Sequence, residues 1–322
     1  MKPLIWIIDE EWKDYGREGA ILQKHFPDCT IRYSGYNYME DLAEFGKHAD
    51  AILCQVYVEL PEAVIRQLTK CKIIAVYGGG FDRIDVKAAK EKNITVTFVP
   101  GYCVEDVSDF VIAAIYFFNK KLDYYFKVAG SGPWGAQAAG CLFPRISSST
   151  LFIIGFGRIG KAVAEKAKKM GMNIIVYDRK VNPEDEEVYG VKFVPLEYGL
   201  QNADFVTLHM NLNEDNVSII SERELEIMKD SAYLINTARG ALISEKDLIK
   251  AVRKNTIAGA MLDVIAKEPP TGEEEIFHCP NIFVTPHVSY LSVESLNTLK
   301  ERAAMNVVKV LNGAATTDAV II

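Results

Sequence analysis

Residues 151–178 read LFIIGFGRIGKAVAEKAKKMGMNIIVYD, and their reading decides the fold. Four apolar residues run into Gly155-Phe156-Gly157-Arg158-Ile159-Gly160, a helix-forming stretch follows, and a second apolar run ends at Asp178. Strand, glycine turn, helix and strand together form the repeating unit of a doubly wound parallel sheet. Each glycine has its own task. The first makes the tight turn, the second lets backbone approach a pyrophosphate, and the third lets helix and strand pack closely. The N-terminus of the helix that follows (KAVAEKAKKM) presents unpaired N–H groups and a partial positive charge to phosphates, and Phe156, Arg158 and Ile159 within the turn are assigned to the cofactor with the glycines. Asp178 stands 18 residues beyond Gly160, where a carboxylate accepts hydrogen bonds from ribose hydroxyls and favours NAD over NADP. Arg179 is the competing feature, because a guanidinium beside that acid can take a 2′-phosphate.

Outward from this unit the same grammar continues in both directions. Downstream, VKFV, DFVTLHM, AYLINTA, IAGAMLDV and NIFVTPH recur at helix-sized intervals. Upstream, PLIWIID, CTIRYS, ADAILCQ, KIIAVY and NITVTFV alternate with helical segments such as PEAVIRQLTK. Short runs that are apolar on both faces are what strands of a covered parallel sheet require. The expectation is an α/β chain with two doubly wound parallel-sheet domains. Residues 1–100 and 288–322 form a discontinuous flavodoxin-like substrate domain, and residues 101–287 form an inserted Rossmann domain. The final helix, from Val293 to Leu311, has no strands of its own and is expected to complete the first domain. Between Val104 and Lys121 lies a helix whose stretch Phe110–Phe118 (FVIAAIYFF) is apolar on every side, to be buried under its own chain or against another subunit. Residues 129–150, rich in Gly, Ser and Pro, read as a connector.

Bulk properties agree with this division and narrow the function. A chain of 322 residues exceeds what one core usually organises. Its 49% hydrophobic and 25% charged content is that of a folded globular protein. Thirty-six basic residues against 43 acidic ones give a net charge of −7, which argues against nucleic acid as a partner. The run at Phe110–Phe118 is far shorter than the roughly 20 residues that cross a bilayer. The N-terminus lacks the small-residue cleavage site of a secretory signal. Six cysteines (Cys29, Cys54, Cys71, Cys103, Cys141, Cys279) are scattered singly, as reduced cytoplasmic thiols are. Adjacent His278 and Cys279 lack ligand spacing and no carboxylate pattern accompanies them, so no metal is expected.

Three further strand ends carry chemistry: NTARG with Arg239, LDVIAKEPP with Asp263 and Glu268, and TPHVSY with His287. Arginine, glutamate and histidine are the parts needed to reduce a 2-oxo acid. Arg239 can grip the substrate carboxylate in a bidentate fork and polarise the carbonyl. His287 can donate a proton to the oxygen, with Glu268 stabilising its imidazolium form. Each residue alone has a plainer role, as a helix cap, a solvated acid or a turn residue; the dinucleotide motif is what makes the trio significant. His209, at another strand end, fits either a cofactor contact or a hydrogen-bonded core histidine.

Over essentially its full length the chain resembles the D-isomer-specific 2-hydroxyacid dehydrogenase family. The matching motifs are YGGGFDRID, VPGYCVEDVSD, GFGRIG with Asp178, LHMNLNEDN, NTARG, GAMLDVIAKEP and TPH. The resemblance implies an NAD-dependent oxidoreductase interconverting a small 2-oxo acid and a D-2-hydroxy acid, with Arg239, Glu268 and His287 as catalytic residues. It implies that Asp263 orients the nicotinamide carboxamide, that Thr237, Ala238 and His209 line the cofactor cleft, and that amides around Gly78 and Gly79 receive the substrate carboxylate. It also implies that the helix from Val104 and its connector form the arm of a cytoplasmic homodimer. Segments LHMNLNEDN and TPHVSYLSVES look closest to the C-terminal-binding-protein and phosphoglycerate-dehydrogenase-like branch. The alternative reading is therefore an NAD(H)-sensing, corepressor-like binding protein. Formate dehydrogenase, of the same fold, places Gln beside the histidine, so Glu268 argues for hydroxy-acid chemistry. Departures from the commoner pattern are Phe152, Asn211 and the pair Ser289-Tyr290. Tyr57, Tyr102 and Tyr290 are candidates to surround the substrate side chain, with Tyr290 assigned to substrate binding.

Overall fold

The computed structural model describes residues 2–140, 142 and 144–321; Cys141 lies outside them. Along the chain run β1 (Leu4–Ile8), α1 (Gly16–His25), β2 (Thr30–Ser34), α2 (Met39–Glu44), β3 (Ala51–Gln55), α3 (Glu62–Ile65), β4 (Ile73–Tyr77), α4 (Val86–Glu91) and β5 (Thr95–Thr97). After α5 (Val104–Asn119) and α6 (Leu122–Val128) come β6 (Thr150–Ile154), α7 (Arg158–Lys169), β7 (Asn173–Tyr177), α8 (Pro183–Tyr189), β8 (Lys192–Phe193), α9 (Leu196–Asn202) and β9 (Phe205–Leu208). The run closes with α10 (Glu222–Glu226), β10 (Tyr233–Asn236), α11 (Glu245–Arg253), β11 (Gly259–Leu262), β12 (Ile282–Val284) and α12 (Val293–Leu311). Two compact units result: one up to Tyr102 and again from Leu291, the other Cys103–Tyr290.

The first unit is a five-stranded sheet in the order β2-β1-β3-β4-β5, every pairing parallel. Its β3 (AILCQ) and β4 (IIAVY) are buried at every residue, which explains why they read as unbroken apolar runs. Edge strand β2 is mostly exposed and correspondingly polar. Helix α12 packs on α1 and β4. It starts at a capping box in which the Ser292 hydroxyl accepts from the Ser295 N–H at 3.0 Å and the Ser295 hydroxyl accepts from the Ser292 N–H at 2.9 Å.

The second unit is a seven-stranded parallel sheet in the order β12-β11-β10-β9-β6-β7-β8. Phe152, one of the unusual positions, is fully buried in β6. Its ring takes the space that Gly199 leaves in α9, where an added Cβ would lie 2.2 Å from the Phe152 Cζ. The large residue on the strand is thus matched by a missing side chain on the helix. Helix α5 lies on α7. It buries Val107, Val111, Ala114, Ile115 and Phe118, the last stacked on Tyr233 of β10, and leaves Ala113 and Tyr116 exposed. Its own chain therefore covers one face of the all-round apolar helix and not the other.

Candidate active site

Parallel strands deliver all their carboxyl ends to one edge of a sheet, so the strand order is also the order of the site. Along the seven-stranded sheet that edge carries His287 after β12, Asp263 after β11, Thr237-Ala238-Arg239 after β10, His209 after β9, the glycine turn after β6 and Asp178 after β7.

The glycine turn is shaped by close approach. Gly155 has φ +98°, and a Cβ there would sit 2.7 Å from the His209 carbonyl carbon. At Gly160 a Cβ would lie 2.2 Å from the Gly155 carbonyl oxygen, so α7 meets the strand in direct backbone contact. Nothing stands within 4 Å of the Cβ position at Gly157, the residue that precedes α7. Exposed Arg158 and half-buried Ile159 form the first turn of that helix. The Phe156 N–H donates to Asp178 Oδ2 at 2.7 Å, and the Lys180 N–H donates to Oδ1 at 2.9 Å. Asp178 thereby ties the turn to the end of β7. The Phe156 ring is a packing group, edge-on to Tyr189 and Phe193 at 5.4 and 5.7 Å. Arg179 is exposed and pairs with Asp215 at 3.5 Å.

On the same sheet edge, two buried polar atoms have no hydrogen-bond partner among the described residues: His209 Nδ1 after β9 and Thr237 Oγ1 after β10. Native interiors rarely leave such atoms unsatisfied unless a ligand completes them. These atoms and the open space at Gly157 lie along one sheet edge, with groups suited to hold a dinucleotide. His209 Nε2 is 2.9 Å from Thr207 Oγ1, and burial pushes its pKa down to about 3, so the imidazole is neutral.

Arg239 is held by the turn that follows β10. Asn236, fully buried, accepts from the Ala238 N–H at 3.0 Å and donates to the Arg239 carbonyl at 2.8 Å. The Arg239 guanidinium donates to the Ala238 carbonyl at 2.7 Å. Gly240 then lets the turn lie directly on the chain at Ile265, since a Cβ at 240 would be 1.9 Å from the Ile265 carbonyl carbon. The Arg239 and Glu268 loops are thus packed backbone to backbone.

His287 adopts the left-handed conformation, φ +53°, uncommon for a residue with a side chain. Its Nδ1 lies 3.1 Å from Glu268 Oε2, with the two side chains 19% and 12% exposed. The other oxygen of Glu268 accepts from the Ile265 N–H at 3.0 Å, which fixes the carboxylate behind the ring. With Nδ1 facing Glu268, Nε2 is the ring nitrogen turned away from the carboxylate. Tyr290 is nearly buried and stands edge-on to the imidazole, centroids 6.3 Å apart. Asp263 is 1% exposed and accepts from the Thr285 hydroxyl (2.7 Å) and the Val288 and Ser289 N–H groups (2.9 Å each). Its carboxylate therefore builds the loop that carries His287. Asn236 and Thr285 escaped the sequence reading; the signal was an Asn and a Thr directly at strand ends, where side chains fold turns.

In the first unit, Gly78 and Gly79 follow β4. Gly78 is buried against Val56, whose Cγ1 would be 2.2 Å from an added Cβ, and Gly79 is exposed. Tyr102 lies 3.9 Å from the Cβ position of Gly79, and Tyr57 packs edge-on to Tyr36 at 6.0 Å.

Known proteins resemble this chain in sequence and fold. Residues 112–289 match the model of the D-isomer specific 2-hydroxyacid dehydrogenase NAD binding domain. The chain is 36% identical to a glycerate dehydrogenase of Methylorubrum extorquens, covering 90% of this chain and 91% of the relative. It is 35% identical to a glyoxylate reductase of Thermococcus litoralis over 84% of this chain and 83% of the relative. Among solved structures, D-lactate dehydrogenase from Aquifex aeolicus complexed with NAD and lactic acid superposes with TM-score 0.83 at 25% identity, covering 96% of each chain.

Proposed function

Because the chain belongs to the D-isomer-specific 2-hydroxyacid dehydrogenase family and interconverts 2-oxo and 2-hydroxy acids with NAD, we propose that Arg239, Glu268 and His287 are the groups that carry the reaction. The observation that carries this reading is the 3.1 Å contact between His287 Nδ1 and Glu268 Oε2 on a loop adjoining that of Arg239. Arg239 holds the substrate carboxylate and polarises the carbonyl through charge-assisted hydrogen bonds. His287 gives its Nε2 proton to the carbonyl oxygen in reduction and takes it back in oxidation, while Glu268 stabilises the charged ring. Bound NAD supplies or accepts the hydride. The glycine turn, Asp178, Thr237, Ala238 and His209 are the residues to hold it, and amides at Gly78 and Gly79 are to receive the substrate carboxylate.

The unit formed by the first and last segments of the chain is assigned to substrate and the 103–290 unit to cofactor. The protein acts as a homodimer through the uncovered face of α5 and the exposed Phe126 and Trp134 beyond it, 77% and 79% exposed. A cytoplasmic site is supported by the unpaired thiols of Cys29, Cys54, Cys71 and Cys279. Among the described residues no helix is long and apolar enough to cross a membrane. The names of the relatives support turnover of small 2-oxo acids and give the NAD(H)-sensing alternative no support. The test is NADH oxidation with glyoxylate, hydroxypyruvate, pyruvate and phenylpyruvate. Turnover with at least one acid is expected, abolished in His287→Ala at unchanged NADH affinity. Tight NADH binding without turnover of any acid refutes the assignment.

A further inference from the structure

The five-stranded sheet has its own topological switch point. In the order β2-β1-β3-β4-β5 the chain winds one way from β1 and the other way from β3, which opens a crevice at their carboxyl ends. Two side chains meet across that crevice. Gln55 closes β3, is 2% exposed, and spends its amide at both ends: its Oε1 accepts from the Val56 N–H at 2.9 Å and its Nε2 donates to Glu11 Oε2. Glu11 follows β1, so this bond draws its carboxylate over the end of β3.

The segment bearing Glu11 is held firmly. Asp9 accepts from the Glu11 N–H at 2.8 Å and from the Tyr15 hydroxyl at 2.9 Å. Lys300 donates to the Asp14 carbonyl and sits 4.6 Å from the Trp12 ring centroid. Asp9, Glu10 and Glu11 follow β1 in succession, and the Arg83 guanidinium donates to the Tyr57 carbonyl at 3.3 Å. Tyr36, which packs on Tyr57 there, has its phenol pKa pushed up by burial first and then by Asp9, Glu11 and Glu10.

We propose that Glu11, oriented by Gln55, determines substrate specificity: it accepts a hydrogen bond from a donor on the side chain of the 2-oxo acid, a hydroxyl or a cationic nitrogen. This rests on the oxo-acid reading above, with the substrate carboxylate at Gly78 and Gly79 on the end of β4. Strand β3 lies one strand spacing away, about 4.8 Å. A second carboxylate on the substrate would be repelled by Glu11 itself.

The experiment compares kcat/KM for hydroxypyruvate against 2-oxobutanoate, which replaces the hydroxyl by a methyl, and for 2-oxo-5-guanidinopentanoate against 2-oxoheptanoate. Glyoxylate, which has no side chain, and 2-oxoglutarate complete the panel. The wild type is expected to prefer the donor-bearing member of at least one pair by about tenfold or more and to reject 2-oxoglutarate. Glu11→Leu should bring that ratio close to one, and Glu11→Gln, which keeps the shape and removes the charge, should at least halve it in the cationic pair. Should Glu11→Leu fail to fold, the wild-type ratios and Glu11→Gln decide. Glyoxylate turnover by the wild type with ratios near one in both pairs, or with ratios that survive substitution, overturns the role of Glu11. Absence of turnover with every acid overturns the oxo-acid reading and this proposal with it.

Discussion

Gly240 is the position at which the catalytic arrangement is most exposed to a single methyl group. In Gly240→Ala the new Cβ would stand 1.9 Å from the Ile265 carbonyl carbon and 2.1 Å from its oxygen, both backbone atoms that cannot rotate away. Ordinary contact begins near 3.4 Å, so the loops bearing Arg239 and Glu268 must separate by about 1.5 Å. Overpacking of this kind costs about 1–3 kcal/mol of stability. The larger effect is on chemistry, because a misplacement of about 1 Å costs roughly a hundredfold in rate. NADH affinity should fall less than kcat/KM, since of the cofactor residues only Thr237 and Ala238 lie on the displaced turn and the glycine turn after β6 is a separate element. The assay is kcat/KM with the best oxo acid, alongside NADH titration by fluorescence and thermal unfolding. Gly19→Ala is the control: nothing lies within 4 Å of its Cβ position in α1, and it should hold or raise the melting temperature. If Gly240→Ala is destabilised yet keeps kcat/KM within twofold of wild type, the placement of Arg239 does not depend on this contact and the reasoning is wrong.

Other perturbations follow the same geometry. Asp178→Ala removes the acceptor for the Phe156 and Lys180 N–H groups as well as the acid at the end of β7. NADH binding measured by titration should weaken at least about tenfold while discrimination against NADPH narrows. Gly199→Ala should drive a Cβ into the Phe152 ring and lower the midpoint of urea unfolding by an amount equivalent to about 1–3 kcal/mol; smaller Phe152→Val in the same chain should restore part of it. His209 has a folded pKa of about 3, below its unfolded value, so the unfolded chain takes up a proton first as pH falls. Its contribution is complete above about pH 6.5 and erodes below it, by about 1–2 kcal/mol at pH 5. His209→Gln should therefore show a shallower loss of stability between pH 7 and pH 5 in denaturant titrations.

The elements of this fold were legible because their signals are local. A short β-branched run apolar on both faces suits a covered parallel sheet, and the inner strands of both sheets were readable on that ground, whereas edge strand β2 (TIRYS), mostly exposed, was legible only from its place in the alternation of strands and helices. Gly155 and Gly160 were readable for the same reason, since the turn and the helix they open are contiguous. Pairings between distant segments were not. Nothing around Gly240 announces Ile265, and nothing around Phe152 announces Gly199, because hydrophobic period reports whether a residue is buried and not which residue it meets. Helix α5 illustrates the same limit. Its composition required burial all round, and only the packed structure shows that α7 takes one face.

Asp263 shows how the structure gives a task of its own to a residue that the sequence singles out for another. Family resemblance assigns it to the nicotinamide, whereas its carboxylate collects three donors from Thr285, Val288 and Ser289 around the left-handed His287. Removing that carboxylate would strand buried donors at a cost of about 1–3 kcal/mol each and release the conformation that aims the imidazole. Loss of activity in Asp263→Ala would therefore report the His287 loop as readily as a cofactor contact. Only NADH affinity, read separately from turnover, distinguishes the two, because the loop acts on the proton and the carboxamide contact acts on binding.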